Sequence, residues 1–190
     1  MSIRLLDPTS TPNIPLYDLF TITPTAPYVA LLGDIGPVEA YQFDHFALFT
    51  RQLAQFRTVL FIPGNNEAYK SSREGPISLP RSFETQNNKT SDSDPSLKRF
   101  ILLDRTAFRI SNSNTLIIGC SLFSRVPANR HVRVSRALND FYQTTGWDVD
   151  VHNEFYARDL AWLNGATARI EADEQETKIN DFQSLGADDG

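Results

Sequence analysis

The sequence predicts an α/β fold with a mainly parallel first sheet. Two short apolar runs, Tyr28–Leu32 and Thr58–Ile62, each lead directly into glycine and polar residues. Continuous apolar runs of this length are typical of strands that are buried on both faces of a parallel sheet. Each following glycine allows a sharp turn, so the next side chain should lie at the carboxyl end of its strand.

The segment between the two runs predicts a crossover helix. Phe46, Phe49, Leu53 and Phe56 recur at helical spacing, with polar residues between them. A strand, a helix and a second strand form a βαβ unit, and such units are almost always right-handed with parallel strands. The two strand ends should therefore meet at one edge of the sheet.

Asp34 and Asn65 are the candidate ligands at that edge. A carboxylate and an amide oxygen are hard ligands that suit a divalent cation, and ligands bind at the carboxyl edge of open α/β sheets. Both residues also have structural readings, because Gly33-Asp34-Ile35-Gly36 and Pro63-Gly64-Asn65-Asn66 are sequences typical of turns.

The order of these motifs resembles the calcineurin-like metallophosphoesterases. Their signature is D-x-H, then G-D, then G-N-H-[DE], followed by later motifs that contain histidine; the matching segments here are Asp7-Pro8-Thr9, Gly33-Asp34 and Gly64-Asn65-Asn66-Glu67. The similarity covers roughly residues 3–164. It implies an α-β-β-α sandwich, of which this chain would form part, and metal-dependent hydrolysis of phosphoesters.

The resemblance also implies roles for individual residues. Asp7, Asp34 and Asn65 would be metal ligands, and Asn66 and Glu67 would occupy the catalytic positions. The cofactor would be a divalent metal of the manganese, iron or zinc type, and the substrate a phosphoester of unknown identity. Asp7 also suits a turn before proline, and that alternative stays open.

The sequence departs from the family pattern where histidines are expected. Thr9 replaces the first-motif histidine, and Asn66, which cannot transfer a proton near neutral pH, replaces the histidine of the third motif. His45, His131 and His152 lie outside the motif positions and are expected at the surface or at a helix cap. The later histidine motifs are missing, so the chain is interpreted as truncated at its C-terminus, or as part of a longer protein.

The predicted organisation is a phosphoesterase-like domain over residues 1–164 and an acidic tail over residues 165–190. Within the domain, the polar stretch of about residues 70–98 is expected to be a mobile insertion. A strand near Phe100–Leu103 and a hairpin ending in Thr115–Cys120 should extend the sheet, the latter as a third central strand. The helix that begins near Val149 should end near Asn164, with a disordered tail beyond it.

Composition limits the classes of partner. The formal net charge is −5, which argues against nucleic acid. The single cysteine, the lack of a signal-like N-terminus and the lack of a long apolar run favour a cytoplasmic protein without membrane spans.

Two functional hypotheses remain from the sequence. One is a metal-dependent phosphoester hydrolase with weak or no activity, and the other is a non-catalytic relative that acts as a scaffold or interaction protein. Because the missing part of the fold would leave apolar sheet uncovered, we expect the chain to be poorly soluble or to need a protein partner over that surface.

Overall fold

Two successive βαβ units build the central parallel sheet. The computed structural model describes residues 21–89 and 98–185, with side chains up to residue 172. The first strands and the helix between them are confirmed: β1 (Tyr28–Leu32), α1 (Gln42–Gln55) and β2 (Thr58–Ile62). Strand β2 is followed by α2 (Gly75–Asn88) and β3 (Arg99–Leu102), and all three strands are parallel in the order β1-β2-β3. The mixed α/β class with a parallel sheet is therefore confirmed.

The remaining elements follow the sheet in the chain. A hairpin comes first and helices come after it. They are β4 (Thr106–Arg109), β5 (Leu116–Gly119), α3 (His131–Ala137), α4 (Asp140–Gln143) and α5 (Val149–Leu185), with short 3-10 helices at Asn66–Ala68 and Ala128–Arg130.

The core lies on both faces of the sheet because side chains alternate along each strand. Val59 and Phe61 of β2 lie on the face that both α1 and α2 cover, where Phe49, Phe83 and Phe100 pack together. Apolar burial on this scale is the main stabilising contribution to the fold. Helices α1 and α2 therefore lie on the same side of the parallel sheet.

The opposite face is covered by the β4–β5 hairpin. Leu60, Ile101 and Leu103 are buried there against Phe108 and Ile117 of the hairpin. The hairpin approaches closely because of a glycine in β5: a Cβ at that position would lie 2.8 Å from Leu103 Cβ. Helices, parallel sheet and hairpin thus form three layers.

The expected position of the hairpin was wrong in one respect. The sequence predicted Thr115–Cys120 to be a third central strand, but β5 pairs only with β4 among the described residues, in a separate antiparallel sheet. Its residues are mostly half-buried rather than buried, because only one face of the hairpin packs on the core. The third strand of the parallel sheet is β3.

The prediction of a mobile insertion at about residues 70–98 was wrong for residues 75–88, which form helix α2. Its polar side chains hydrogen-bond to the backbone of β3. Asn88 Nδ2 donates to the carbonyl oxygen of Phe100 at 2.8 Å, Asn88 Oδ1 accepts from the N–H of the same residue at 3.1 Å, and Glu84 Oε1 accepts from the N–H of Leu102 at 3.1 Å. These residues thus satisfy backbone groups of β3 that its neighbour β2 does not reach. Residues 90–97 lie outside the described part of the chain.

The second correction concerns the acidic tail. Helix α5 does not end near Asn164, and its backbone continues to Leu185. Residues 186–190 lie outside the described part, as do the predicted first strand, Asp7 and Thr9. Within residues 21–89 and 98–185, no helix is both long and apolar enough to cross a bilayer.

The contact between α2 and β3 leads to a prediction about the stability of the fold. Asn88→Ala should lower the free energy of unfolding by about 1–3 kcal/mol, because it leaves both backbone groups of Phe100 without these partners. Urea denaturation would measure the difference. Gln86→Ala is the matched control, since Gln86 is exposed on the same helix and should change stability by less than about 0.5 kcal/mol. Equal effects of the two substitutions would contradict the role of Asn88.

Candidate functional site

The loops that follow β1 and β2 touch through two glycines. Leu32 and Ile62, the last residues of the two strands, are paired in parallel register, so both loops start at the same level. Gly33 has φ +71°, and a Cβ there would lie 2.7 Å from Gly64 N and 2.8 Å from Gly64 Cα. Only a residue without a side chain allows this approach. The expected meeting of the two loops at one edge is confirmed.

The carboxylate of Glu67 joins the two loops. Its side chain is fully buried, and four backbone N–H groups donate to its oxygens: Gly64 at 2.7 Å and Asp34 at 3.1 Å to Oε2, and Ile35 at 2.7 Å and Gly36 at 3.4 Å to Oε1. Burial raises the pKa of Glu67, and the backbone hydrogen bonds act in the opposite direction. The geometry therefore gives Glu67 a role in fixing the loops, since both oxygens are already engaged.

Asp34 presents an oxygen without a partner at this junction. The residue has φ +58°, a left-handed conformation that aspartate adopts more readily than most residues. Its Oδ1 is buried and accepts no hydrogen bond from the described residues. A Cβ on Gly64 would lie 3.1 Å from this Oδ1, so the carboxylate lies directly against the second loop. A buried carboxylate oxygen in this state is suited to accept a cation.

Asn65 is held by a group that the sequence analysis did not identify. Its Nδ2 donates to Asp140 Oδ1 at 2.9 Å, and the hydroxyl of Tyr69 donates to the same oxygen. Burial, and then the hydrogen bond to Asp140, raise the pKa of Tyr69 to about 12, so its hydroxyl keeps its proton near neutral pH. Since Nδ2 faces Asp140, this orientation leaves the amide oxygen of Asn65 available to a ligand. Asp140 lies 75 residues away along the chain, and no local pattern predicted it.

Asn66 occupies the first position of the 3-10 helix Asn66–Ala68. The Oδ1 of Asn66 accepts a long hydrogen bond of 3.4 Å from the side-chain amide of Asn65. The assignment of Asn66 and Glu67 to the catalytic positions stays a prediction.

A cavity opens beside Asn65. Its volume is about 470 Å³, and Gly64, Asn65, Asp140 and His152 contribute to its lining. Ser121 also borders it, and its hydroxyl donates to the carbonyl oxygen of Pro63 at 2.7 Å. A small organic ligand would fit in this volume.

Among the described residues, the predicted metal ligands do not belong to a larger cluster of ligand side chains. In the part of the chain that the structure describes, no group of three or more histidine, cysteine, aspartate or glutamate side chains is placed to hold a metal ion. A two-metal centre needs ligands for both ions. The unpartnered oxygen of Asp34 fits a ligand of a single cation, and Asp7, the third predicted ligand, lies outside the described residues.

The expected exposure of two histidines was wrong. His45 is fully buried, and its Nε2–H donates to the carbonyl oxygen of Gly36 at 3.0 Å. Burial lowers the pKa of His45 to about 4, so the ring is neutral near pH 7. His152 is also buried, with Nε2 at 2.7 Å from the carbonyl oxygen of Ser124. His131, in contrast, is partly exposed at the start of α3.

Comparisons with known proteins do not identify a function. No protein-family model matches the chain, and no solved structure matches it. The chain is similar to "Uncharacterized protein L509" of Acanthamoeba polyphaga mimivirus, with 24% identity over 115 residues. The alignment covers 60% of this chain and 38% of the viral protein, so the chain matches well under half the length of that relative.

The lowered pKa of His45 leads to a prediction about how stability depends on pH. Its pKa in the folded state is about 4, below the ordinary value of 6.5, so the unfolded chain takes up a proton first as the pH falls. The buried, neutral ring of His45 therefore contributes fully to the free energy of unfolding above pH 6.5, and this contribution is lost as the pH falls from 6.5 to 4. About 2 kcal/mol should be lost by pH 5.

The measurement is the urea midpoint at pH 7.5 and at pH 5 for the wild type and His45→Gln. Between pH 7.5 and pH 5, the free energy of unfolding of His45→Gln should fall by about 2 kcal/mol less than that of the wild type. Gln86→Ala is the control, and it should keep the wild-type pH dependence because neither side chain titrates and Gln86 is exposed on α2. An identical pH dependence in wild type and His45→Gln would contradict the prediction.

Proposed function

We propose that the chain is a metallophosphoesterase-type domain that binds a single divalent cation, and that its hydrolysis of phosphoesters is weak or absent. The observation that carries the cation site is the buried, unpartnered Oδ1 of Asp34 at the contact between the two loops. The layering of helices, parallel sheet and hairpin supports the sandwich expected from the resemblance, of which these layers would be three.

The cation would be held by oxygen ligands. Asp34 would supply a carboxylate oxygen and Asn65 its amide oxygen, and Asp7 is the third proposed ligand from the undescribed N-terminal stretch. Asp140, beside Asn65, adds negative charge that favours a cation in the adjoining cavity. A manganese, iron or zinc ion bound there would stabilise negative charge on a phosphate oxygen.

Weak hydrolysis follows because the described groups around Asn65 that could transfer a proton are engaged within the protein; the Tyr69 hydroxyl, for example, donates to Asp140. Asn66 can donate a hydrogen bond but no proton near neutral pH. Both oxygens of Glu67 accept backbone hydrogen bonds, and His45 and His152 are directed toward backbone carbonyl oxygens. General acid catalysis needs a titrating group within hydrogen-bonding reach of the leaving group.

An active hydrolase is the second candidate function. The cavity of about 470 Å³ beside Asn65 favours it, because this volume would accommodate a phosphoester next to the proposed cation. A protein partner over exposed apolar surface also stays a prediction, and Leu32 and Phe43, which are 71% and 87% exposed, are candidates for such a contact.

Calorimetric titration with manganese tests the cation site. The wild type should bind one ion, and Asp34→Ala and Asn65→Ala should each weaken the affinity at least about tenfold, since each removes a ligand oxygen. Glu154→Ala, at an exposed position of α5, is the control and should bind as the wild type does. Binding that neither site substitution affects would overturn the proposal.

A parallel assay separates hydrolysis from binding. With manganese present, turnover of p-nitrophenyl phosphate and bis(p-nitrophenyl) phosphate should stay near the background rate. Manganese-stimulated turnover that Asp34→Ala abolishes would show instead that the second candidate is correct and the chain is an active hydrolase.

A further inference from the structure

A second cavity lies between α2 and α5, beyond the carboxyl end of β3. Its volume is about 450 Å³, and four arginines contribute to its lining: Arg73, Arg81, Arg105 and Arg158. We call it the arginine pocket. Ser121 borders both this pocket and the cavity beside Asn65, but Asp34 and Asn65 do not line it. It is therefore distinct from the proposed cation site.

Two of the four arginines are already neutralised by carboxylates. Arg105 forms ion pairs with Asp104 at 3.0 Å and with Asp159 at 2.9 Å, and Asp159 is buried. Arg81 pairs with Glu84 one turn further along α2. These contacts account for most of the negative charge at the pocket wall, although the exposed Glu74 also lines it.

Arg73 and Arg158 differ from the other two arginines. Among the described side chains, no carboxylate lies within ion-pair distance of either guanidinium. The guanidinium carbons of Arg158 and Arg73 lie 3.9 Å and 5.5 Å from the centre of the same ring, that of Phe155. Two like charges are thus brought together on one aromatic side chain.

The position of Arg73 is fixed by its surroundings. Its Nη1 donates to the carbonyl oxygen of Gly64 at 3.0 Å, and its guanidinium also lies over the rings of Phe123 and Trp147, at 4.8 Å and 5.1 Å. Burial lowers the pKa of Arg73, the carboxylates of Glu67, Asp159 and Asp104 act in the opposite direction, and the charge of Arg158 adds to the effect of burial. A preorganised guanidinium loses little side-chain entropy when it binds an anion.

The wall of the pocket is not purely polar. Ile77 of α2 and Phe155 of α5 contribute apolar surface, and Ser78 and Ser121 contribute hydroxyl groups. Ligand sites combine apolar surface with a few charged groups that fix orientation. A ligand for this pocket would therefore have an anionic head and an apolar body.

We propose that the arginine pocket binds a small organic anion, which presents a carboxylate or phosphate group to Arg73 and Arg158 and packs its apolar part against Ile77 and Phe155. The planar fork of a guanidinium matches both oxyanions and can bind them through paired hydrogen bonds. An anion at this place would also offset the repulsion between the two arginines. The site goes beyond the proposed cation site and does not depend on it.

Three probes with one aromatic ring test the proposal by calorimetric titration at constant ionic strength. Phenyl phosphate and benzoate carry the two candidate oxyanions, and benzyl alcohol is the neutral counterpart. At least one of the two anions should bind with a millimolar or lower dissociation constant, and it should bind at least about tenfold more tightly than benzyl alcohol. The tighter anion identifies the head group.

Substitutions locate the binding. Arg158→Gln should weaken the affinity for the preferred anion about tenfold or more, and this exposed residue can be changed without disturbing the core. Arg169→Gln is the matched control on the same helix and should leave the affinity unchanged. Asp34→Ala should also leave it unchanged, which separates a failure of this proposal from a failure of the cation site.

Two results would overturn the inference. One is binding of neither anion at millimolar concentration, which would mean that Arg73 and Arg158 serve only to pack against the aromatic rings. The other is anion binding of equal affinity in wild type and Arg158→Gln, which would place the anion elsewhere on the molecule.

Discussion

The arrangement of the loops at the carboxyl edge of the parallel sheet depends on the buried carboxylate of Glu67. It accepts hydrogen bonds from the loop after β1 and from the loop after β2. The same loops also meet where Gly33 approaches Gly64 and where the Val38 N–H donates to the carbonyl oxygen of Glu67 at 3.0 Å. A buried carboxylate without partners would be strongly destabilising, and the four N–H donors offset part of that cost, although burial still raises the pKa of Glu67. One side chain thus holds both loops in place.

The fixed loops position Asp34 at their contact and place further groups beside the two cavities. Asp34 is held in a left-handed conformation with one carboxylate oxygen unpartnered, and Asn65 is turned by Asp140 so that its amide oxygen is available. On the other side of the second loop, Arg73 donates to the carbonyl oxygen of Gly64 and reaches the arginine pocket. A proposed cation site and a proposed anion site thereby both adjoin the loop after β2.

The sequence predicted the elements whose signal is local and missed those that depend on distant contacts. Strands β1 and β2 and helix α1 follow from apolar runs and helical spacing. Helix α2 was missed because the polar residues that made it resemble a loop are those that bind the backbone of β3. At the site, Asp34 and Asn65 were placed at one edge correctly, whereas Asp140 was missed because it comes from a helix far along the chain.

The most direct test of this account is backbone amide hydrogen exchange in the wild type, Glu67→Gln and the exposed control Glu154→Gln. The account predicts that exchange at Ile35, at Gly64 or at both becomes at least about tenfold faster in Glu67→Gln relative to the amides of β2, because glutamine keeps only one of the two oxygens that accept these N–H groups. The control should match the wild type. Unchanged exchange at Ile35 and Gly64 in Glu67→Gln would contradict the central role of Glu67.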